Sequence, residues 1–295
     1  MNKVFVPLVG QHDNIGDVIL RRELLDWLRG RGELHVYVGS SDSSYDRALG
    51  AVSEGIVLYK KPWPWMLAAI KAALLPGGTA HYVFKPGEIQ LTIAGLKEHV
   101  GLLPVVAAIR LGGGKVVRVG VGARNFSFIP RFLFLPSVIL SNFSAWRDPL
   151  TAKHIGRGTV MPDLAFAQGS AAAEVGSPHR NKLAVSLRDD SPYPRAEWLQ
   201  GVTRAAKRLD CEIVVVSQVL RDDGISSRLA GDLGGRALLW GDKSHAEQEA
   251  ELRATYRLAR LTLSNRLHVL VAALTEGSVP VAAVDRPSNK IDRHF

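Results

Sequence analysis

Short β-branched runs alternate with longer amphipathic stretches along most of this chain, and that alternation restricts the fold more than any other feature. Val4–Val9, Leu34–Val38, Ile56–Tyr59, Tyr82–Phe84, Lys115–Val121 and Ser137–Leu140 read as strands. Asp17–Arg29 reads as a helix, because Val18, Leu20, Leu24, Leu25 and Leu28 fall near helical spacing and Gly30 supplies a stop. Leu102–Leu111 reads the same way, with Pro104 in its first turn and Gly112-Gly113-Gly114 at its end. A second series begins near Lys182. Leu183–Leu187, Glu212–Ser217, Ala237–Trp240, Leu261–Ser264 and Val279–Val284 are strand-like, and Arg195–Leu209, Ala246–Leu258 and Val269–Leu274 are helical between them. Strands that alternate with helices predict parallel sheets covered by helices. The segment Ala167–Arg180 is rich in Ala, Gly, Ser and Pro and reads as a linker. The expected architecture is therefore α/β, with two Rossmann-like domains facing a cleft: residues 1–168, a linker at 169–180, and residues 181–295. Sheets of this kind bind ligands beyond the carboxyl ends of their strands.

Composition narrows the class. With 295 residues, 46% of them apolar and 22% charged, the chain can bury an ample core without staples. A single cysteine, Cys211, excludes an internal disulfide framework and a cysteine-rich metal site. No metal-ligand spacing stands out. The longest apolar stretches are interrupted, Trp65–Leu75 by Lys71 and Phe126–Leu140 by Pro130, Arg131 and Pro136, so none reaches the ~18 residues that span a bilayer. The first nine residues have one lysine and a short apolar run, and read as a strand rather than a secretory leader. Lys and Arg number 37 against 28 Asp and Glu, a net charge of +9. The basic residues are spread along the chain without a run of five, and no nucleic-acid-binding signature accompanies them. Small anionic substrates or anionic lipid are the better targets for that charge.

Four polar clusters follow strands. Gly10-Gln11-His12-Asp13-Asn14-Ile15-Gly16-Asp17 leads from the first strand into a helix, whose N-terminus suits an anion or a polar sugar; Asn14 or Asp17 acting only as a cap is the simpler alternative. Trp146-Arg147-Asp148-Pro149-Leu150-Thr151 offers an anion-binding arginine or, more simply, a surface pair at a helix start. Ser186-Leu187-Arg188 ends the first strand after the linker, where a planar guanidinium matches phosphate or carboxylate. Ser264-Asn265-Arg266-Leu267-His268 places a permanent cation and a titratable imidazole at a strand-to-helix turn.

Taken in order, Asn14-x-Gly16-Asp17, Arg147-Asp148 with Thr151, Pro162-Asp163, Ser186-Leu187-Arg188, Gln218 with Asp222, Ser264-x-Arg266-Leu267-His268, and Pro280 with Lys290 resemble the polysaccharide pyruvyl transferase family over nearly the whole chain. The resemblance implies a GT-B-like fold and transfer of pyruvate from phosphoenolpyruvate onto a sugar of a cell-envelope or exopolysaccharide glycan, as a cyclic ketal. It implies donor contacts from Arg188, Arg266 and Leu267, with Arg147 and Lys290 beside them, and acceptor contacts from Asn14 and Gly16. Where the family often carries a Gly-Gly-Gly loop, this chain reads Phe84-Lys85-Pro86-Gly87-Glu88-Ile89-Gln90, with Glu88 as a further acceptor candidate. The chemistry needs one general acid and one general base. Imidazole titrates nearest neutrality, so His268 is the expected acid and Asp17 the expected base. Phosphoenolpyruvate is a substrate here, and neither a cofactor nor a metal is expected.

Two segments suit a membrane surface: Lys60-Lys61-Pro62-Trp63-Pro64-Trp65-Met66 mixes cations with interfacial aromatics, and Phe126–Leu135 holds four phenylalanines and Arg131. Ordinary core packing is the alternative for both. A cytoplasmic protein acting on a lipid-linked acceptor would sit peripherally at the inner membrane face. Two other functions compete: a nucleotide-sugar GT-B glycosyltransferase, for which the usual acidic ribose-binding pair is missing, and a non-catalytic protein that binds envelope glycan or anionic lipid.

Overall fold

The two series of strands form two separate parallel sheets in the computed structural model, which describes residues 2–169, 177, 179–284 and 291–295. The first series runs β1 (Lys3–Pro7), α1 (Ile15–Leu28), β2 (Glu33–Tyr37), α2 (Ser43–Ala48), β3 (Ile56–Tyr59), α3 (Pro62–Leu74), β4 (Ala80–Phe84), β5 (Gly87–Gln90), α4 (Lys97–Gly101), α5 (Leu103–Leu111), β6 (Val116–Arg124), α6 (Phe128–Ile139), β7 (Phe143–Trp146), α7 (Pro149–Ile155) and β8 (Thr159–Val160). Its strand order is β3-β2-β1-β4-β6-β7-β8, and β5 pairs with the end of β6. The second runs β9 (Lys182–Ser186), α8 (Ala196–Leu209), β10 (Glu212–Val216), α9 (Asp223–Leu233), β11 (Arg236–Leu238), α10 (His245–Leu258), β12 (Ala259–Ser264), α11 (Leu267–Thr275) and β13 (Val279–Ala282), in the order β11-β10-β9-β12-β13.

Parallel neighbours need crossover helices, and right-handed crossovers dictate where those helices lie. In the first sheet the chain moves outward from β1 to β3, then returns and moves the other way from β4 to β8. Helices α1 and α2 therefore cover one face, and α3, α5, α6 and α7 the other. Against that second face, Trp65 and Ala69 of α3 and Val105 and Ile109 of α5 pack on Tyr82, Phe84 and Val116. In the second sheet, Leu183, Val185, Ile213 and Val215 pack on Val202 and Ala206 of α8 and Leu229 and Leu233 of α9. Strands buried on both faces read as continuous apolar runs, which is why they stand out in the sequence.

The compact units follow the sheets with one exception. Residues 1–10 and 20–164, with His294, form the first unit; residues 11–19, 165–293 and Phe295 form the second. The loop after β1 and the first turn of α1 thus pack with the second sheet's unit, more than a hundred residues away in sequence.

Two local expectations change. Ser137–Leu140 is not a strand but the last turn of α6, and the strand ahead of Arg147 is β7. Val138 and Ile139 are β-branched, yet they continue an apolar run that starts at Phe128. Pro130 sits in the helix's first turn, where its missing N–H is harmless, and the helix accommodates Pro136 in its interior. The segment Lys60–Met66 enters helix α3, with Pro62 at its start. Trp65 is buried and its indole N–H donates to the His35 carbonyl at 2.9 Å, while the Lys60 ammonium is held by Ser41 and Asp46. Trp65 therefore packs inward and does not belong to a lipid-facing surface, whereas the Lys60 side chain stays 43% exposed with its ammonium tied to Asp46.

Candidate functional site

The second sheet reverses its strand order between β9 and β12, so the crevice beyond their carboxyl ends is the expected binding place of this unit. Ser186 and Ser264 are the last paired residues of the two strands. Arg188 and Arg266 each follow two residues later. The Arg188 backbone N–H donates to the Asn265 side-chain carbonyl at 3.0 Å, which ties the two turns together.

Both guanidinium groups are aimed by carboxylates, in different settings. Arg266 donates through Nε and Nη2 to Asp222, at 2.5 and 2.7 Å, and the Asp222 side chain is fully buried. Asp222 also accepts the Asp189 backbone N–H at 3.1 Å, so one buried carboxylate organises the ends of both strands. Nη1 of Arg266 is the atom Asp222 does not engage. Arg188 makes a two-pronged pair with Asp190, through Nε at 2.6 Å and through Nη2, and its side chain is 39% exposed. That bond holds the Arg188 guanidinium above its ordinary pKa and the Asp190 carboxyl below its own.

The N-terminal loop meets the connection after β10. The Ile15 N–H donates to the Gln218 carbonyl at 3.1 Å, the Leu220 N–H to the Asp13 carbonyl at 2.9 Å, and Asn14 and Val219 form an antiparallel bridge. Arg221 grips Asp13 with two 2.7 Å bonds, and His245 Nε2 lies 2.5 Å from the His12 carbonyl. Asn14 opens α1: its side-chain oxygen accepts the Gly16 N–H at 3.0 Å. Asp17 accepts the Gln11 N–H at 2.8 Å. Gly16 is required sterically. A Cβ there would lie 2.6 Å from both the His268 Cβ and the Gln218 amide nitrogen, so only glycine lets this turn reach His268.

Seven of the expected residues thus fall in one unit: Asn14, Gly16, Asp17, Arg188, Arg266, Leu267 and His268. Leu267 and His268 open helix α11, with Leu267 buried and His268 half-buried. Arg147 and Glu88 fall in the other unit. Arg147 is 3% exposed there, donates to the fully buried Asp163 at 2.9 Å, and lies 3.7 Å from Glu88, which also pairs with Arg124 at 2.8 Å. Asp148 caps α7 by accepting the Thr151 N–H at 2.8 Å, and the Thr151 hydroxyl accepts the Ala123 N–H at 2.8 Å. Lys290 lies outside the described residues.

Sequence reasoning noted Asp222 and Gln218 only as motif members and assigned them no role. It named Ser186 as a motif member without a role for its hydroxyl, and gave Ser217 none. The oxygens of Ser186, Ser217 and the Gln218 side chain are buried and make no hydrogen bond among the described residues. Their place at the carboxyl ends of β9 and β10 was the available signal. Among the described residues, no group of three or more His, Cys, Asp or Glu is arranged to hold a metal ion, and no helix is long and apolar enough to cross a membrane.

A family model for polysaccharide pyruvyl transferase matches residues 14–286. The chain belongs to the polysaccharide pyruvyl transferase family. That match takes in the first cluster from Asn14 onward, the other three clusters, and every strand after β1. No curated protein sequence matches the chain. Among solved structures, a Listeria monocytogenes protein assigned as a UDP-N-acetylglucosamine 2-epimerase is similar with a TM-score of 0.53 at 13% identity, covering 96% of this chain and 80% of that one. HepE from Anabaena, in complex with UDP-glucose, gives 0.52 at 12% identity, with 96% and 80% covered. The E. coli heptosyltransferase WaaC gives 0.43 at 13% identity, with 97% and 91% covered. At these identities the likeness is one of fold, and the fold is α/β and GT-B-like.

Proposed function

We propose that this member of the family transfers pyruvate from phosphoenolpyruvate to a sugar of a cell-envelope or exopolysaccharide glycan and leaves it as a ketal. The observation that carries the reading is the placement of Arg188 and Arg266 on adjacent strand ends at the switch point, with His268 two residues beyond Arg266 and Gly16 against it. Phosphoenolpyruvate has two anionic ends, and two guanidinium forks match them. Arg266 is pre-aimed by Asp222, whereas Arg188 exchanges Asp190 for the donor. Leu267 and the Ser186 hydroxyl line the same strand ends, and Lys290 is assigned to the donor on the family resemblance alone.

In the proposed reaction His268 protonates the methylene carbon of the donor. The adjacent carbon becomes oxocarbenium-like and a sugar hydroxyl attacks it, losing its proton to Asp17. The C–O bond to the phosphate then breaks, and a second hydroxyl closes the ketal, its proton leaving with the departing phosphate. Asn14, Gly16 and Glu88 are assigned to the acceptor, and Arg147 to supporting Glu88. The reading calls on no cofactor and no metal. A lipid-linked acceptor would bring the protein to the inner face of a membrane as a peripheral protein.

The test is phosphate release from phosphoenolpyruvate across a panel of glycan acceptors, with the ketal located by NMR. Release that depends on acceptor, with a new ketal carbon, is expected. Stabilisation by UDP in place of phosphoenolpyruvate, with sugar transfer from a UDP-sugar, would replace this reading with a glycosyltransferase. Binding of glycan with turnover of neither donor would make the protein a glycan-binding module.

A further inference from the structure

Helix α6 is apolar on the side that faces its own core and equally apolar on the side that faces away. Pro130, Phe134 and Val138 are buried. Phe128, Ile129, Phe132, Leu133, Pro136 and Ile139 are all exposed, Phe128 to 82% and Phe132 to 66%. Their spacing puts these six on one helical face with no polar residue among them. A surface helix of a globular unit normally turns a polar face outward; one that is apolar all round needs a non-aqueous neighbour on its outer side. Helix α3 lies on the same side of the first sheet, and its outer stripe is Trp63, Leu67 and Leu74, with Trp63 70% exposed and Lys71 within the stripe.

The charge of the chain says which neighbour. Residues 55–147 contain eleven Lys and Arg but only two acids, Glu88 and Glu98. Both acids are already paired, Glu88 with Arg124 and Glu98 with Lys85. The rest of the chain is balanced, with 26 basic and 26 acidic residues, so the whole net charge of +9 lies in the segment that builds α3, α5 and α6. Arg118 and Arg147 are buried, and Lys60, Lys85 and Arg124 are held by carboxylates, so the cations left for the surface are Lys61, Lys71, Lys97, Arg110, Lys115 and Arg131, with no acid of this segment unpaired among them. An exposed apolar helix face set in a one-signed basic segment, with a tryptophan on the neighbouring stripe, is complementary to an anionic lipid surface: apolar side chains enter the acyl boundary and the cations stay among the headgroups.

We propose that the outer faces of α6 and α3 dock the first unit on an anionic bilayer. The proposal goes beyond the transferase reading and stands on this surface alone, because vesicle binding and turnover of a soluble acceptor are separate measurements. The full chain would be sedimented with vesicles of phosphatidylcholine, alone or with 30% phosphatidylglycerol. Wild type should bind the anionic vesicles, and binding should weaken in high salt. Phe128→Ser/Ile129→Ser/Phe132→Ser should lower the bound fraction at least tenfold, and Lys61→Glu/Lys71→Glu should lower it as well. Trp27→Ser, at an exposed position on α1 across the sheet, should bind like wild type. The emission of Trp63, taken as the difference from Trp63→Phe, should shift to the blue and be quenched by brominated lipid. These exposed substitutions leave the core intact, which circular dichroism checks. Wild type that ignores anionic vesicles, or a triple variant that binds as well as wild type, overturns the proposal. So does a wild-type dimer, insensitive to lipid, that the triple variant turns into a monomer, since the face would then be covered by a second copy.

Discussion

Arg147 in the first unit and Arg188 in the second both follow a parallel strand, and both look from the sequence like anion ligands. Their surroundings separate them. Arg147 is sealed against the fully buried Asp163, with Glu88 near its other nitrogen. Arg188 holds Asp190 in the open, where the carboxylate is 64% exposed. A buried pair cannot trade partners without leaving a charge unpaired, whereas an exposed pair exchanges its carboxylate for another anion at little loss. Arg266 lies between these extremes: one edge is fixed permanently by buried Asp222, and the other remains to be used. An arginine at a strand end is therefore a ligand candidate only if its own carboxylate leaves it an edge or can be displaced.

The largest expected effect tests the second unit's chemistry. His268→Asn should slow the chemical step about 10²–10⁴-fold in single turnovers at saturating donor, with little change in donor affinity. An equal loss in donor binding, with no separate loss in turnover, would turn His268 into a phosphate ligand and move the acid elsewhere. Next comes the first unit. Asp163→Asn would take the nearer, fully buried counter-charge from the Arg147 guanidinium and leave only Glu88 at 3.7 Å, and should reduce stability by up to about 3–5 kcal/mol in denaturant titrations. If the variant is as stable as wild type, Arg147 is not sealed in a structural pair, and the contrast with Arg188 fails.

Arg266→Ala and Arg188→Ala should each weaken phosphoenolpyruvate binding about tenfold or more, read by calorimetry, with lysine restoring only part because it lacks the fork. Unchanged affinity in both folded variants would remove the donor site from the second unit. Asp190→Asn frees Arg188 from an exposed pair worth about 0.2–1 kcal/mol, so donor affinity should rise by at most about fivefold. Weaker binding instead would show that Asp190 aims Arg188 and is not displaced.

The smallest effect concerns a fourth arginine. Arg118 is fully buried on β6 under the rings of Phe84, Phe134 and Trp146, and donates from Nη2 to Ser137 at 3.1 Å. Its Nε and Nη1 have no partner among the described residues, and burial lowers its pKa to about 9. A base whose pKa is lower folded than unfolded destabilises the fold while both states are charged. That penalty is relieved as pH rises through the folded value. Between pH 7 and 10, wild type should therefore gain stability relative to Arg118→Met, measured as the difference in denaturation midpoints. A constant difference would mean that the group stays charged in the core.

Periodicity alone determined the α/β class, the parallel sheets and most strand positions, because strands buried on both faces must be continuous apolar runs. It failed at α6, where a helix apolar on every side has no period to read and its β-branched end imitates a strand. Local spacing also placed Asp17, Arg188, Arg266 and His268 at strand-to-helix turns. It could not decide which turns meet. Gln11–Ile19 joins the second unit through bonds to Gln218, Leu220 and Arg221, some two hundred residues away. Asp222 reaches Arg266 across forty-four residues. Contacts at such separations are closed by the whole packed sheet and leave no local pattern. Whether a strand-end arginine is sealed or displaceable likewise depends on how deeply the fold buries its carboxylate, which is identical in type at Asp163, Asp222 and Asp190.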